Sequence, residues 1–163
     1  MSAKELIVFI PEFSLDKSAL TVLAEDLSLN VDVIPTSRGF SFDFSAQKGA
    51  GKSRLAIEHK ADDCLLIREI MDWTRPSASY KSMLTACKST LTVYYRDPSI
   101  AKDALRKLGT ILQDRSSNCI VDNGFGCLLK LDVMLSCIDE EPQWSWEKEQ
   151  FPELEGVADS EWK

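Results

Sequence analysis

The spacing of apolar residues changes several times along the chain, and each change marks an element. LIVFI (6–10) is a short unbroken apolar run and reads as a strand. Ser14 then stands as an N-cap before Leu15, Ala19, Leu20, Leu23 and Leu27, which recur at helical spacing to about residue 27. VDVIP (31–35) reads as a strand and Gly39 as a turn. GFSFDFS (39–45) puts Phe40, Phe42 and Phe44 on one side of a half-buried strand. RLAIEH (54–59) alternates as another strand. ADDCLLIREIMDW (61–73) reads as a helix, Pro76 interrupts it, and SASYKSMLTAC (77–87) resumes as a second, short one. LTVYY (91–95) is a strand. Asp97-Pro98 supplies an N-cap followed by proline at the first helical position, with Ile100, Ala101, Ala104, Leu105, Leu108, Ile111 and Leu112 as the buried stripe behind it. NCIVDNGFGCLLKL (118–131) carries the hairpin signal Asn123-Gly124, and its second strand is expected to continue through DVMLSCI (132–138).

Two of these stretches resemble each other. At an offset of 85, residues 6–40 and 91–125 share ten identities in 35 ungapped positions: Leu6/Leu91, Val8/Val93, Ser14/Ser99, Lys17/Lys102, Ala19/Ala104, Leu20/Leu105, Leu23/Leu108, Leu27/Leu112, Gly39/Gly124 and Phe40/Phe125. Composition alone would give about two or three. Each half reads strand, helix, strand, strand, so the expected fold is α+β with duplicated halves (6–45 and 91–131), pseudo-twofold symmetry and a mostly antiparallel sheet. One sheet face is expected to carry the two equivalent helices. The strand and helices of 53–88 connect the halves, and the domain is expected to span 1–138, with a separate tail over 139–163.

The 163 residues suffice for one domain with its own core. The apolar run near the start is too short for a signal-peptide core or a membrane span, so a soluble, cytoplasmic protein is expected. Five cysteines without CxxC spacing argue against a disulfide framework or a zinc site and read as small core residues. The net charge of −7 is concentrated. Residues 139–163 hold nine acids and two lysines, an excess of seven, while the remaining 138 residues balance at 17 acids and 17 bases. No basic stripe points to nucleic acid.

Candidate chemistry is sparse. SAQKGAGKSRLA (45–56) ends its glycine run in Gly51-Lys52-Ser53, but the first glycine of a phosphate loop would fall on Ala46, and a strand rather than a helix follows. The stretch reads as a hairpin loop whose Lys48, Lys52 and Arg54 are free to meet an acidic partner. His59 is the only histidine, with no nucleophile motif beside it. Asp62 and Asp63 read as helix-start residues that complement the helix dipole. Glu69 and Asp72, beside Arg68 and Arg75, fit either a polar helix face or a ligand contact. No metal site, no cofactor site and no catalytic set is expected.

The tail, IDEEPQWSWEKEQFPELEGVADSEWK (138–163), combines acids with large anchors. Asp139, Glu140, Glu141, Glu147, Glu149 and Glu153 would steer a basic partner, and Trp144, Trp146 and Phe151 are of the type that dominates interface energies. The alternative is that these aromatics pack back on the domain and close a sheet face or edge. WSWEKEQ (144–150) is compatible with a short helix. In its small size, acidic balance and closing stretch WSWEKEQFPELEGVADSEW (144–162), the chain resembles the immunity proteins that accompany interbacterial toxins of type VI secretion or contact-dependent inhibition. That resemblance implies a tight complex with one cognate protein toxin, masking its active site or an essential surface. In topology, the two halves also look like the gyrase-inhibitor-like fold, which implies a small ligand in the groove between them. A third expectation is a homodimer, paired through sheet edges or the tail.

Overall fold

Leu6, Val8 and Ile10 of the first strand point to one side of a sheet, and Ile7 and Phe9 to the other. All but the half-buried Ile7 are fully enclosed, so both sheet faces must be covered at this strand. In the computed structural model the described residues are 4–11, 18, 21–22, 25, 30–35, 39–45, 55–60, 62–113, 116–154 and 159–160. They form eight strands, β1 (Lys4–Pro11), β2 (Asn30–Pro35), β3 (Gly39–Ser45), β4 (Leu55–Lys60), β5 (Cys87–Tyr95), β6 (Ile120–Asp122), β7 (Cys127–Lys130) and β8 (Asp159–Ser160). The α-helices with defined bounds are α1 (Cys64–Thr74), α2 (Ala78–Ala86), α3 (Pro98–Ile111) and α4 (Leu131–Glu140). The strands make a single sheet in the order β2-β3-β4-β5-β1-β6-β7-β8, antiparallel at each pairing. The protein is therefore α+β.

β1 and β5 form the centre. Their register sets Ile7 opposite Thr92, Leu6 opposite Val93 and Val8 opposite Leu91. Because 92 − 7 = 85, a residue and its counterpart at the repeat offset face each other at the middle of this pair, as a local twofold axis requires. The flanks depart from that symmetry. Outward from β1 lie β6 and β7, whereas outward from β5 lie β4, β3 and β2, so the inner strand on that side comes from the connecting region. At the same offset β2 would fall on 115–120, which contains a 3-10 turn, Ser116–Asn118. Of the first-half helix expected over 15–27, Ser18, Thr21, Val22 and Glu25 are helical, and Leu15, Ala19, Leu20, Leu23 and Leu27 lie outside the described residues.

The Leu6 face is the larger core. Leu91, Val93 and Tyr95 of β5, Leu55 and Ile57 of β4, Phe42, Val121, Cys127 and Leu129 join it, covered by Ala101, Ala104, Leu105 and Leu108 of α3 and Leu131, Met134 and Ile138 of α4. Asp97 caps α3 as expected, its Oδ1 accepting from Ser99 N at 2.9 Å, with Pro98 behind it. A Cβ on Gly109 would lie 2.4 Å from Leu135 Cδ1, so α3 and α4 approach closely because position 109 has no side chain. On the opposite face, Phe9, Ile120 and Leu128 pack against Ile67 of α1 and Tyr80 and Leu84 of α2. Arg75 ends α1 in the left-handed conformation, its N–H donating to Met71 O, and Pro76 follows. α1 and α2 thus lie over the sheet face that bears Phe9, Ile120 and Leu128.

The strand expected to run on through 132–138 is instead α4. Leu131, Met134 and Ile138 sit at i, i+3 and i+7 and are all buried, while Asp132 lies in the first turn, where the helix dipole favours an acid. The run of apolar residues obscured this period, and β7 ends at Lys130. Asp122, Asn123 and the positive-φ glycines Gly124 and Gly126 build the expected turn between β6 and β7. β3 and β4 are antiparallel neighbours, so the chain that follows Gly51-Lys52-Ser53 is a strand, as the sequence indicated. Residues 46–54, expected as a hairpin loop with Lys48, Lys52 and Arg54 in it, lie outside the described residues.

Candidate protein-binding surface

The segment after α4 is built onto the domain by its aromatic residues. Trp146 is fully buried, and its indole Nε1 donates to Tyr95 Oη at 2.8 Å, the two rings meeting edge to face at 5.6 Å. Trp144 and Phe151 are buried against each other with ring centres 5.8 Å apart, and Lys148 Nζ lies 5.8 Å and 5.3 Å from the two centres. Asn123 clamps the backbone between them. It is fully buried, its Nδ2 donates to Trp146 O at 2.8 Å and Lys148 O at 2.9 Å, and its Oδ1 accepts from Phe125 N at 2.8 Å and Cys127 N at 3.0 Å. Both amide hydrogens and the amide oxygen are thereby used, which matches the capacity of a buried asparagine. Cys127 Sγ donates to Glu149 O, and β8 then pairs with β7 at the sheet edge.

Trp144, Trp146 and Phe151 therefore belong to the core, which removes them from the contact surface suggested by the sequence. Burial of three large rings outweighs their exposure as anchors. The boundary expected at 138 falls inside α4, and 144–150 is irregular rather than helical, followed by a single 3-10 turn at Pro152–Leu154. Trp162 lies outside the described residues.

The acids of this segment stand in four different conditions. Glu147 pairs with Lys4 and is mostly covered. Glu153 accepts from Lys148 Nζ at 2.6 Å and from Trp144 Nε1 at 3.1 Å, and the lysine hydrogen bond holds its carboxyl below the ordinary range. Asp139 is exposed and paired with Arg106 at 3.1 Å. Glu140, Glu141 and Glu149 are exposed, and Glu140 and Glu141 have no ion-pair partner among the described residues. Lys102 Nζ, donating to Pro142 O at 3.2 Å, ties the bend after them to α3. The result is a fixed acidic edge at the end of α4, held in place by the buried rings behind it.

Other singled-out residues have structural surroundings. His59 lies on the Leu6 face of β4, opposite Phe40 and Leu91, and is 6% exposed. Its Nε2 has no hydrogen-bond partner among the described residues, and burial pushes its pKa below the usual value. Asp63 stands at the start of α1 as its N-cap residue, without a side-chain cap hydrogen bond. It is buried, its carboxylate accepts from Thr90 Oγ1 at 2.7 Å, and its N–H donates to Lys88 O at 2.8 Å, anchoring the start of α1 to β5. Asp62 is exposed with positive φ. Cys87, Cys119 and Cys127 are buried, Cys137 is half-buried and Cys64 is exposed, and all are free thiols. Burial pushes the Cys87 thiol up to about 12.

Sequence reasoning passed over Trp73. It is 80% exposed on α1, the opposite of the burial found for Trp144 and Trp146. The signal was in the helical period: Ile67, Ile70 and Met71 define the inner side of α1, and Trp73 falls outside that arc. No described helix is long and apolar enough to cross a membrane. No family model, no curated protein and no solved structure matches this chain.

Proposed function

We propose that this chain is a non-catalytic binding protein that neutralises a cognate bacterial protein toxin by covering its active site or an essential basic surface. The observation that carries the reading is the acidic edge at the end of α4. Glu140 and Glu141 are exposed and have no ion-pair partner among the described residues, with the exposed Asp139 next to them in sequence, on backbone fixed by Trp144, Trp146 and Asn123. A charged surface fixed before binding loses little conformational entropy on association and steers an oppositely charged partner. A toxin that acts on nucleic acid or a nucleotide has such a basic surface, because its substrate is anionic. The chain works in the cytoplasm, where it meets the incoming or newly made toxin, and uses no cofactor.

The test starts with tagged full-length chain as bait in lysate of its own organism. A stoichiometric partner is identified by mass spectrometry and then expressed alone and together with this chain. The reading requires that the partner arrest growth alone and that co-expression restore it. Glu140→Lys with Glu141→Lys is expected to weaken the complex at least tenfold while leaving the thermal midpoint unchanged. A partner that is harmless when expressed alone would defeat the neutralising reading. A toxic partner bound equally well by the double variant would keep the function and move the contact elsewhere.

A further inference from the structure

The outer side of α1 is a second surface, on the other face of the sheet from the acidic edge. Leu65 is 58% exposed and Trp73 is 80% exposed. With Glu69 they stand at i, i+4 and i+8, which at 100° per residue places all three within about 80° of arc and along about 12 Å of helix. Asp72 borders the same stripe, and both it and Glu69 are exposed with no ion-pair partner among the described residues. Arg68 lies on the flank, 100° round from Glu69. The inner side is occupied separately, by Ile67, Ile70 and Met71 packed over the sheet.

We infer that the Leu65–Glu69–Trp73 stripe of α1 docks a cationic amphipathic segment of another protein. Apolar side chains of that segment cover Leu65 and the Trp73 ring, and its lysines or arginines meet Glu69, Asp72 and the ring face. Tryptophan presents the best aromatic face to a cation and is enriched among interface anchors. The charge decides between occupants. An anionic lipid surface is repelled by Glu69 and Asp72, and helices that lie in such surfaces carry lysine and arginine on the polar side. A second copy laid antiparallel along the stripe sets Glu69 against Glu69, in a chain whose net charge is already −7. The inference stands apart from the neutralising reading, since α1 and the α4 edge lie on opposite sheet faces.

The test uses the full chain and two synthetic helical peptides, one of leucine and lysine with leucines at i, i+4 and i+8, the other with glutamate in place of lysine. Binding is read by titration calorimetry and by the blue shift of Trp73 emission. The lysine peptide is expected to bind and the glutamate peptide to fail. Trp73→Ala and Glu69→Lys should each weaken binding at least tenfold, Glu140→Lys by less than twofold, and added salt should weaken it further. Trp73 is exposed enough that its loss leaves the circular dichroism spectrum unchanged, which is checked first. The inference is overturned by any of four results: no binding of the lysine peptide, equal binding by Trp73→Ala, equal weakening by Glu140→Lys, or equal binding of the glutamate peptide. Trp73-dependent binding to phosphatidylserine vesicles would assign the stripe to lipid instead. A dimer that Trp73→Ala converts to monomer, by light scattering, would assign it to a second copy.

Discussion

Removing the hydrogen bond between Trp146 and Tyr95 tests whether the C-terminal segment is part of the core. Tyr95→Phe keeps the ring and deletes the acceptor of a buried indole N–H, which is left unpaired at a cost of about 1–3 kcal/mol. Trp146→Phe deletes the donor and part of the ring, and costs less than the about 3–5 kcal/mol expected for truncation to alanine. The double variant leaves neither group stranded, so its cost falls short of the sum by about 0.5–1.5 kcal/mol. Each variant is unfolded in urea and followed by circular dichroism, which does not depend on the tryptophan removed. With a slope of about 1–3 kcal/mol per molar urea, a loss of 1–3 kcal/mol moves the midpoint by about 1 M. The whole transition should move, because Trp146 and Tyr95 share one core with α3 and α4. A Trp146→Phe transition coincident with wild type, or a coupling below about 0.3 kcal/mol, would refute the placement of this segment in the core.

Asn123→Asp keeps the acceptor for Phe125 and Cys127 but turns a carboxylate oxygen toward Trp146 O and Lys148 O; a loss of about 2–4 kcal/mol at pH 7, smaller at pH 4, is expected in urea unfolding. Gly124→Ala places a Cβ 2.6 Å from the backbone oxygen of Glu5 at φ +79, so the thermal midpoint should fall by an amount corresponding to at least about 1–2 kcal/mol. His59 has its folded pKa below its unfolded value, so the unfolded chain binds more protons as pH drops below 6.5. Stability attributable to it is present above pH 6.5 and lost as pH falls through the folded value, and His59→Leu should lose less stability than wild type between pH 7 and pH 5. Tyr95 is raised to about 12, with burial as the main cause. Its contribution is present below pH 10 and lost as pH rises toward 12, and Tyr95→Phe should remove one late-ionising phenol from an absorbance titration at alkaline pH.

Local signals located most of the elements. The alternation in GFSFDFS, the Asp97-Pro98 cap, the Pro76 break and the Asn123-Gly124 turn each act within a few residues, so β3, α3, the α1–α2 division and the β6–β7 hairpin follow from the chain alone. The offset of 85 sets Ile7 opposite Thr92, but the strands that flank β1 and β5 do not repeat each other. What lay beyond the sequence was partnership over distance. Nothing local distinguishes a tryptophan that fills a core from one that waits for a partner. Trp146 is buried because Tyr95, 51 positions away, and Asn123 offer it an acceptor and a clamp, and Trp73 is exposed because Ile67, Ile70 and Met71 had already claimed the inner side of α1. The same cause made α4 a helix where an apolar run suggested a strand: β7 already had neighbours, and Leu131, Met134 and Ile138 found their cover on the Leu6 face. The chain determined which residues needed burial, and the tertiary structure decided which of them obtained it, because burial depends on surfaces brought together from distant parts of the sequence.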